Sequence, residues 1–116
     1  MPRLRANVRL ARAEQRQALF TYKQTIQQAF SDVSNALIGY RKYRDFRAHQ
    51  GLLADAAKDA SNLSQTRYKG GVTSYLEVLT NDTNYFSADL NLARAQLNER
   101  LSLVQIYNAL GGGWQQ

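Results

Sequence analysis

With 116 residues and 44% apolar content, the chain has room for one small domain, and it has no cysteine for a disulfide, a thiolate metal site or a thiol nucleophile. The formal net charge of +6 is uneven: residues 1–50 hold ten Lys/Arg against three Asp/Glu, and residues 51–116 hold five against six. No apolar run approaches the ~20 residues of a transmembrane helix, and Arg and Glu interrupt Leu4–Phe20 too often for a secretory leader.

The single proline is Pro2, where a first helical turn tolerates it, so nothing downstream forbids very long helices. The spacing predicts one helix over about 2–69. Leu4, Val8, Ala11, Gln15, Ala18 and Tyr22 recur in steps of four and three, and Ile26, Ala29, Val33, Ala36, Tyr40 and Tyr43 resume the stripe. This is close to the 3.5-residue period of a coiled coil. Leu52, Leu53, Ala56, Ala57, Ala60 and Leu63 extend the apolar pattern past Gly51. That glycine costs about 1 kcal/mol against Ala in a helix, but no Pro, Asn or Ser cluster surrounds it, so the helix is read as continuous.

A tip is expected at 70–73. Gly70-Gly71 can take φ > 0 at little steric cost and suits a helix stop. Ser74, with Glu77 three residues on, reads as a capping box for a second helix over about 74–110. Leu79, Phe86, Leu90, Ala93, Leu97 and Val104 line one face of that helix; Leu92, Leu103, Ile106 and Leu110 lie on another. A helix apolar on two sides needs two neighbours. A Gly-rich tail follows at 111–116.

The expected fold is therefore all-α: a long antiparallel helical hairpin of coiled-coil type. At 1.5 Å per residue the first helix is roughly 100 Å long and the second roughly 54 Å. Folded back from the tip, Leu110 reaches the level of about Val33, so residues 3–32 overhang. Their apolar stripe and the absence of an enclosed core imply completion by further copies or by more of a larger protein.

Arg5, Arg9, Arg12 and Arg16 share one helix face. They would suit an acidic membrane surface or nucleic acid, but such stripes are more often the solvated side of a helix. Tyr40-Arg41-Lys42-Tyr43-Arg44-Asp45-Phe46-Arg47 interleaves aromatics with bases. Helical spacing favours Tyr40 and Tyr43 as packing residues over a stacking platform for single-stranded nucleic acid, so no nucleic-acid partner is expected. His49 has no second His or Cys for a metal, no cofactor is implied, and no catalytic constellation stands out.

Three motifs, in order, carry a resemblance. Arg67-x-x-x-Gly71-Val72-x-x-Tyr75-Leu76-x-Val78-Leu79 resembles the tip motif of TolC-like outer-membrane efflux channels. Tyr107-Asn108-Ala109-Leu110-Gly111-Gly112-Gly113-Trp114 is similar to the close of their second structural repeat. Arg3-Leu4-Arg5-Ala6 and the spaced set Tyr22, Thr25, Ile26, Ala29, Phe30, Val33, Ala36, Leu37 resemble the helix that descends into that repeat.

The resemblance implies a trimer with a β-barrel in the outer membrane and an α-barrel in the periplasm, of which this chain would be a hairpin fragment without strands. It implies a passive conduit rather than an enzyme, a periplasmic adaptor and an inner-membrane pump as partners, and Arg67, Gly70, Gly71, Val72, Tyr75 and Leu76 as the adaptor-docking tip. Glu77 falls near the place of pore-facing acids. Relatives often carry Asp-Ala where this chain has Thr80-Asn81, which removes an acidic ring one turn above Glu77, and Asp82 does not obviously replace it. A second expectation, from another class, is a stand-alone self-associating helical module with a basic N-terminal face.

Overall fold

The computed structural model describes residues 2–111. Its elements are α1 (Pro2–Lys69) and α2 (Tyr75–Ala109), joined by a tight turn and packed antiparallel. The hairpin expected from the sequence is present, and the described residues form no strand. The radius of gyration is 28.3 Å over extents of 104 × 27 × 16 Å, against about 13 Å for a compact chain of this length. The chain is a rod.

Each helix ends at a glycine with positive φ. Gly71 lies at φ +76°, and the N–H groups of Gly71 and Val72 donate to the carbonyls of Tyr68 and Arg67, each at 3.0 Å. This is a Schellman stop: a left-handed glycine lets two amides reach back to orphan carbonyls. Gly111 at φ +77° closes α2, its N–H donating to Asn108 O at 3.1 Å. Of the glycine-rich tail only Gly111 is described; residues 112–116 lie outside the described residues.

The seam between the helices follows a seven-residue repeat, but not along the large apolar residues. On α1 it runs through Val33, Ala36, Tyr40, Arg47, Gln50, Ala54, Ala57, Ser61 and Ser64. On α2 it runs through Val78, Asn81, Tyr85, Ala88, Leu92, Ala95, Glu99, Ser102, Ile106 and Ala109. The fully buried members are small: Ala54, Ser61, Ser64, Ala88, Ala95 and Ser102, with Val78 the exception. Small side chains let two backbones approach closely, and hydroxyls are tolerated because Ser64 and Ser102 donate to the carbonyls of Ser61 and Glu99 one turn back. Gly51 is helical, and a Cβ there would meet only Leu92 Cδ1 at 3.9 Å.

Most of the large apolar residues face outward, while Tyr40, Tyr85, Leu92 and Ile106 are half-buried in the seam. On α1, Phe46, Leu53 and Leu63 form an exposed stripe; on α2, Leu79, Phe86, Leu90, Leu97 and Val104 form another. The two stripes flank opposite sides of the seam. Phe46 shares a groove with Asn98, on the side where Arg67 meets Glu77. Leu79 and Phe86 lie beyond Asp82, on the side where Gln65 meets Asp82. The sequence expectation of a second neighbour for α2 concerns this large-residue stripe, which α1 leaves uncovered.

A groove lined by Ile26, Ala29, Phe30, Val33, Ala109 and Leu110 marks the end of α2 against α1. Residues 2–32 are exposed throughout. The accessible surface is 9700 Å², whereas a compact monomer of this mass exposes roughly 6400 Å². That excess is on the scale of the 2,000–5,000 Å² buried in obligate assemblies.

Candidate functional site

The tip gathers most of the chain's distinctive chemistry. Lys69 ends α1, Gly70 donates its N–H to Thr66 O at 3.0 Å, and Gly71 reverses the chain. Val72 stands at the apex, 72% exposed, and Leu76 stands beside it, 70% exposed. Tyr75 is also exposed on one side; its ring packs on Tyr68, with centroids 5.2 Å apart. The six residues expected at a docking tip, Arg67, Gly70, Gly71, Val72, Tyr75 and Leu76, therefore lie together at one end of the rod.

The expected capping box is not formed. Ser74 occupies the N-cap with extended backbone (φ −82°, ψ 157°), but its side chain makes no cap hydrogen bond. Its carbonyl accepts the Glu77 N–H at 3.2 Å. The Glu77 carboxylate does not turn back to the cap, because Arg67 offers a charged donor: Arg67 Nη1 lies 3.0 Å from Glu77 Oε1. Charge-assisted pairing outcompetes a neutral amide. The pair also suits the helix dipoles, with the cation in the last turn of α1 and the anion in the first turn of α2.

Thr80 and Asn81 hydrogen-bond to the backbone of the first turn of α2. Thr80 Oγ1 donates to Leu76 O at 2.9 Å, and Asn81 Nδ2 donates to Glu77 O at 3.0 Å. Both brace the first turn of α2 under the exposed residues. Asp82 faces the seam, accepting from the Ser61 hydroxyl and, at 3.4 Å, from Gln65 Nε2. It does not stand in for an acid above Glu77. Sequence reasoning missed the Tyr68, Thr80, Asn81 and Ser61 contacts. Only the seven-residue interval from Tyr68 to Tyr75 hinted at one of them.

The remaining candidates lie elsewhere. Arg5, Arg9, Arg12 and Arg16 are exposed on the overhang. Tyr40 is half-buried in the seam and Tyr43 is 42% exposed beside it. Arg47, from the same basic stretch, sits in the seam as an ion pair with Glu99, although its Nε–H is not aligned as a hydrogen bond. His49 is exposed. Among the described residues no three metal-ligating side chains converge, and no helix is long and apolar enough to cross a membrane.

The rod thus ends in an exposed apolar tip at a glycine reversal and carries exposed apolar residues along its flanks. Comparison with known proteins fits this geometry. The family model "Outer membrane efflux protein" matches residues 1–112. The chain belongs to the outer membrane efflux protein family. Among its relatives, the solvent efflux pump outer membrane protein SrpC of Pseudomonas putida is 39% identical over 112 residues, covering 97% of this chain and 24% of SrpC. The cation efflux system protein CusC of Escherichia coli O6:H1 is 37% identical, covering 98% of this chain and 25% of CusC. Outer membrane protein OprJ of Pseudomonas aeruginosa is 32% identical over 98% of this chain and 24% of OprJ. The chain thus spans about a quarter of the length of the curated family members it matches. No solved structure gives a significant match.

Proposed function

We propose that this hairpin is part of an outer-membrane channel subunit of a tripartite efflux pump. Its two helices form wall of the periplasmic tunnel, and its tip docks the periplasmic adaptor. The channel is a homotrimer and a passive conduit; the energy comes from an inner-membrane pump. The observation that carries this reading is the exposed apex of Val72 and Leu76 at the end of a rod with apolar stripes on opposite flanks. Flank stripes suit neighbouring hairpins in a closed ring, and an apolar apex suits a partner met end-on. Glu77, whose side chain is 36% exposed, is the pore-facing candidate, with its charge offset by Arg67.

Relatives are named for solvent efflux, cation efflux and pyoverdine export. Such different cargoes on similar chains support a small-molecule conduit whose selectivity is set by the pump. The test uses full-length subunits carrying Val72→Asp or Gly71→Pro. Both lose export while still forming trimers in the outer membrane. Unchanged resistance to the exported compounds in both variants would refute the docking tip.

A further inference from the structure

Arg67 occupies an unusual place at the tip. Its carbonyl accepts the Val72 N–H at 3.0 Å, so its backbone holds the apex. Its guanidinium lies 3.0 Å from the Glu77 carboxylate, so its side chain holds the returning helix. Glu77 is in turn fixed at three points: its N–H to Ser74 O at 3.2 Å, its carbonyl to Asn81 Nδ2 at 3.0 Å, and its carboxylate to Arg67. A continuous path therefore runs from the apex amide through Arg67 and Glu77 to Asn81 in the seam. No other ion pair among the described residues ties the two helices this close to the turn.

We propose that Arg67 and Glu77 are positioning residues, a clamp that sets the aim of Val72 and Leu76. This rests on the docking-tip reading. Arg67 is then not a contact residue for the partner, and the docking surface reduces to the apolar trio Val72, Tyr75 and Leu76. The charges nearest this patch are Arg67 and Glu77, which offset one another, and Lys69 at the end of α1, which forms no ion pair among the described residues. A mainly apolar docking contact follows from this arrangement, with Lys69 as the unpaired charge beside it and the Arg67–Glu77 clamp beneath it.

The test is amide hydrogen exchange at Gly71 and Val72 in the 116-residue chain, in wild type, Arg67→Gln, Glu77→Gln and the double variant. Each single change speeds exchange at these amides about two- to fivefold, the range of an exposed ion pair at helix ends. The double variant exchanges more slowly than the product of the two single effects, because both singles break the same pair. Raising salt to about 1 M speeds exchange in the wild type and leaves the double variant unchanged. Singles at wild-type rates, or a double variant equal to the product, would overturn the clamp. Leu76→Asp separates this from the docking reading. It leaves tip exchange at the wild-type rate and abolishes export by the full-length subunit. Export retained with Leu76→Asp sinks the docking reading alone, while the exchange data judge the clamp on their own.

Discussion

The Tyr68 ring sits 5.2 Å from the Tyr75 ring, centroid to centroid, and is tilted 56° to it. Tyr68 belongs to the last turn of α1 and Tyr75 to the first residue of α2, so the contact spans the turn beside the Arg67–Glu77 pair. Both rings remain about half exposed, at 46% and 54%. A tilted aromatic pair is worth about 0.5–1.5 kcal/mol beyond area burial, and partial exposure puts this one near the lower end. A double-mutant cycle with Tyr68→Ala and Tyr75→Ala, followed by urea denaturation, should give a coupling of about 0.5 kcal/mol. Strict additivity would mean that the rings merely lie near each other.

The seam and the flanks predict opposite outcomes for neighbouring residues. Ala95 is 1% exposed at the seam, while Leu97, two residues on, is 56% exposed on the outer face of α2. Ala95→Leu forces a branched side chain between two close backbones and costs about 1–3 kcal/mol. Leu97→Ala removes no contact with α1 and leaves the melting of the isolated hairpin within about 0.5 kcal/mol of wild type. In the proposed ring of hairpins the order of harm changes, because Leu97→Ala trims an exposed face available to a neighbouring hairpin. Circular dichroism melts of the chain, beside cross-linking of the subunit, check both halves. A Leu97→Ala hairpin as unstable as Ala95→Leu would place the core on the wrong face.

Much of this architecture was legible in the sequence. One proline at position 2, a continuous 3.5-residue apolar rhythm and the Gly70-Gly71 stop lead to a hairpin with an overhang. What was not legible is which stripe forms the seam. Hydrophobic periodicity weights large residues, and here most of these face away from the partner helix, while Ala and Ser make the close helix–helix contact. Long-range partners were hidden for a simpler reason. Arg67 and Glu77, Ser61 and Asp82, and Gly51 and Leu92 lie at nearly equal distances on either side of Gly71–Val72. Folding the sequence at that point finds them, but only once the turn is fixed to the residue. The capping-box expectation failed at Glu77 because a local rule cannot see a charged partner ten residues back on another helix.

Two glycines separate tolerance from need. Gly51 is helical, and a Cβ there meets only Leu92 Cδ1 at an ordinary 3.9 Å. Gly51→Ala should stabilise the hairpin by about 0.5–1 kcal/mol through helix propensity and a less disordered unfolded chain. Gly71 has open space around it but lies at φ +76°. Gly71→Ala should cost about 1–2 kcal/mol, because an L side chain in that region crowds the following carbonyl. Thermal melts of both variants decide the matter. A destabilised Gly51→Ala would show that Leu92 cannot yield even at van der Waals distance.

Asp82 anchors a small polar network beside the small, most buried residues of the seam. Its carboxylate accepts from the Ser61 hydroxyl and from Gln65 Nε2, and Ser61 itself is 4% exposed. Asp82→Ala strands that hydroxyl away from water, and an unmade buried hydrogen bond costs about 1–3 kcal/mol. Asp82→Asn keeps an acceptor oxygen and should cost less. The double variant Ser61→Ala, Asp82→Ala removes both partners and leaves a seam that matches the Ala54, Ala88 and Ala95 layers already present. It should recover most of the loss, since replacing both members of a buried pair by apolar groups is nearly neutral. Urea unfolding of the four proteins tests the sequence wild type, double variant, Asp82→Asn, Asp82→Ala in falling stability, with the first two close together. A double variant less stable than Asp82→Ala would show that the Ser61 hydroxyl finds another partner when the carboxylate is gone, and that the pair contributes more than the satisfaction of one buried group.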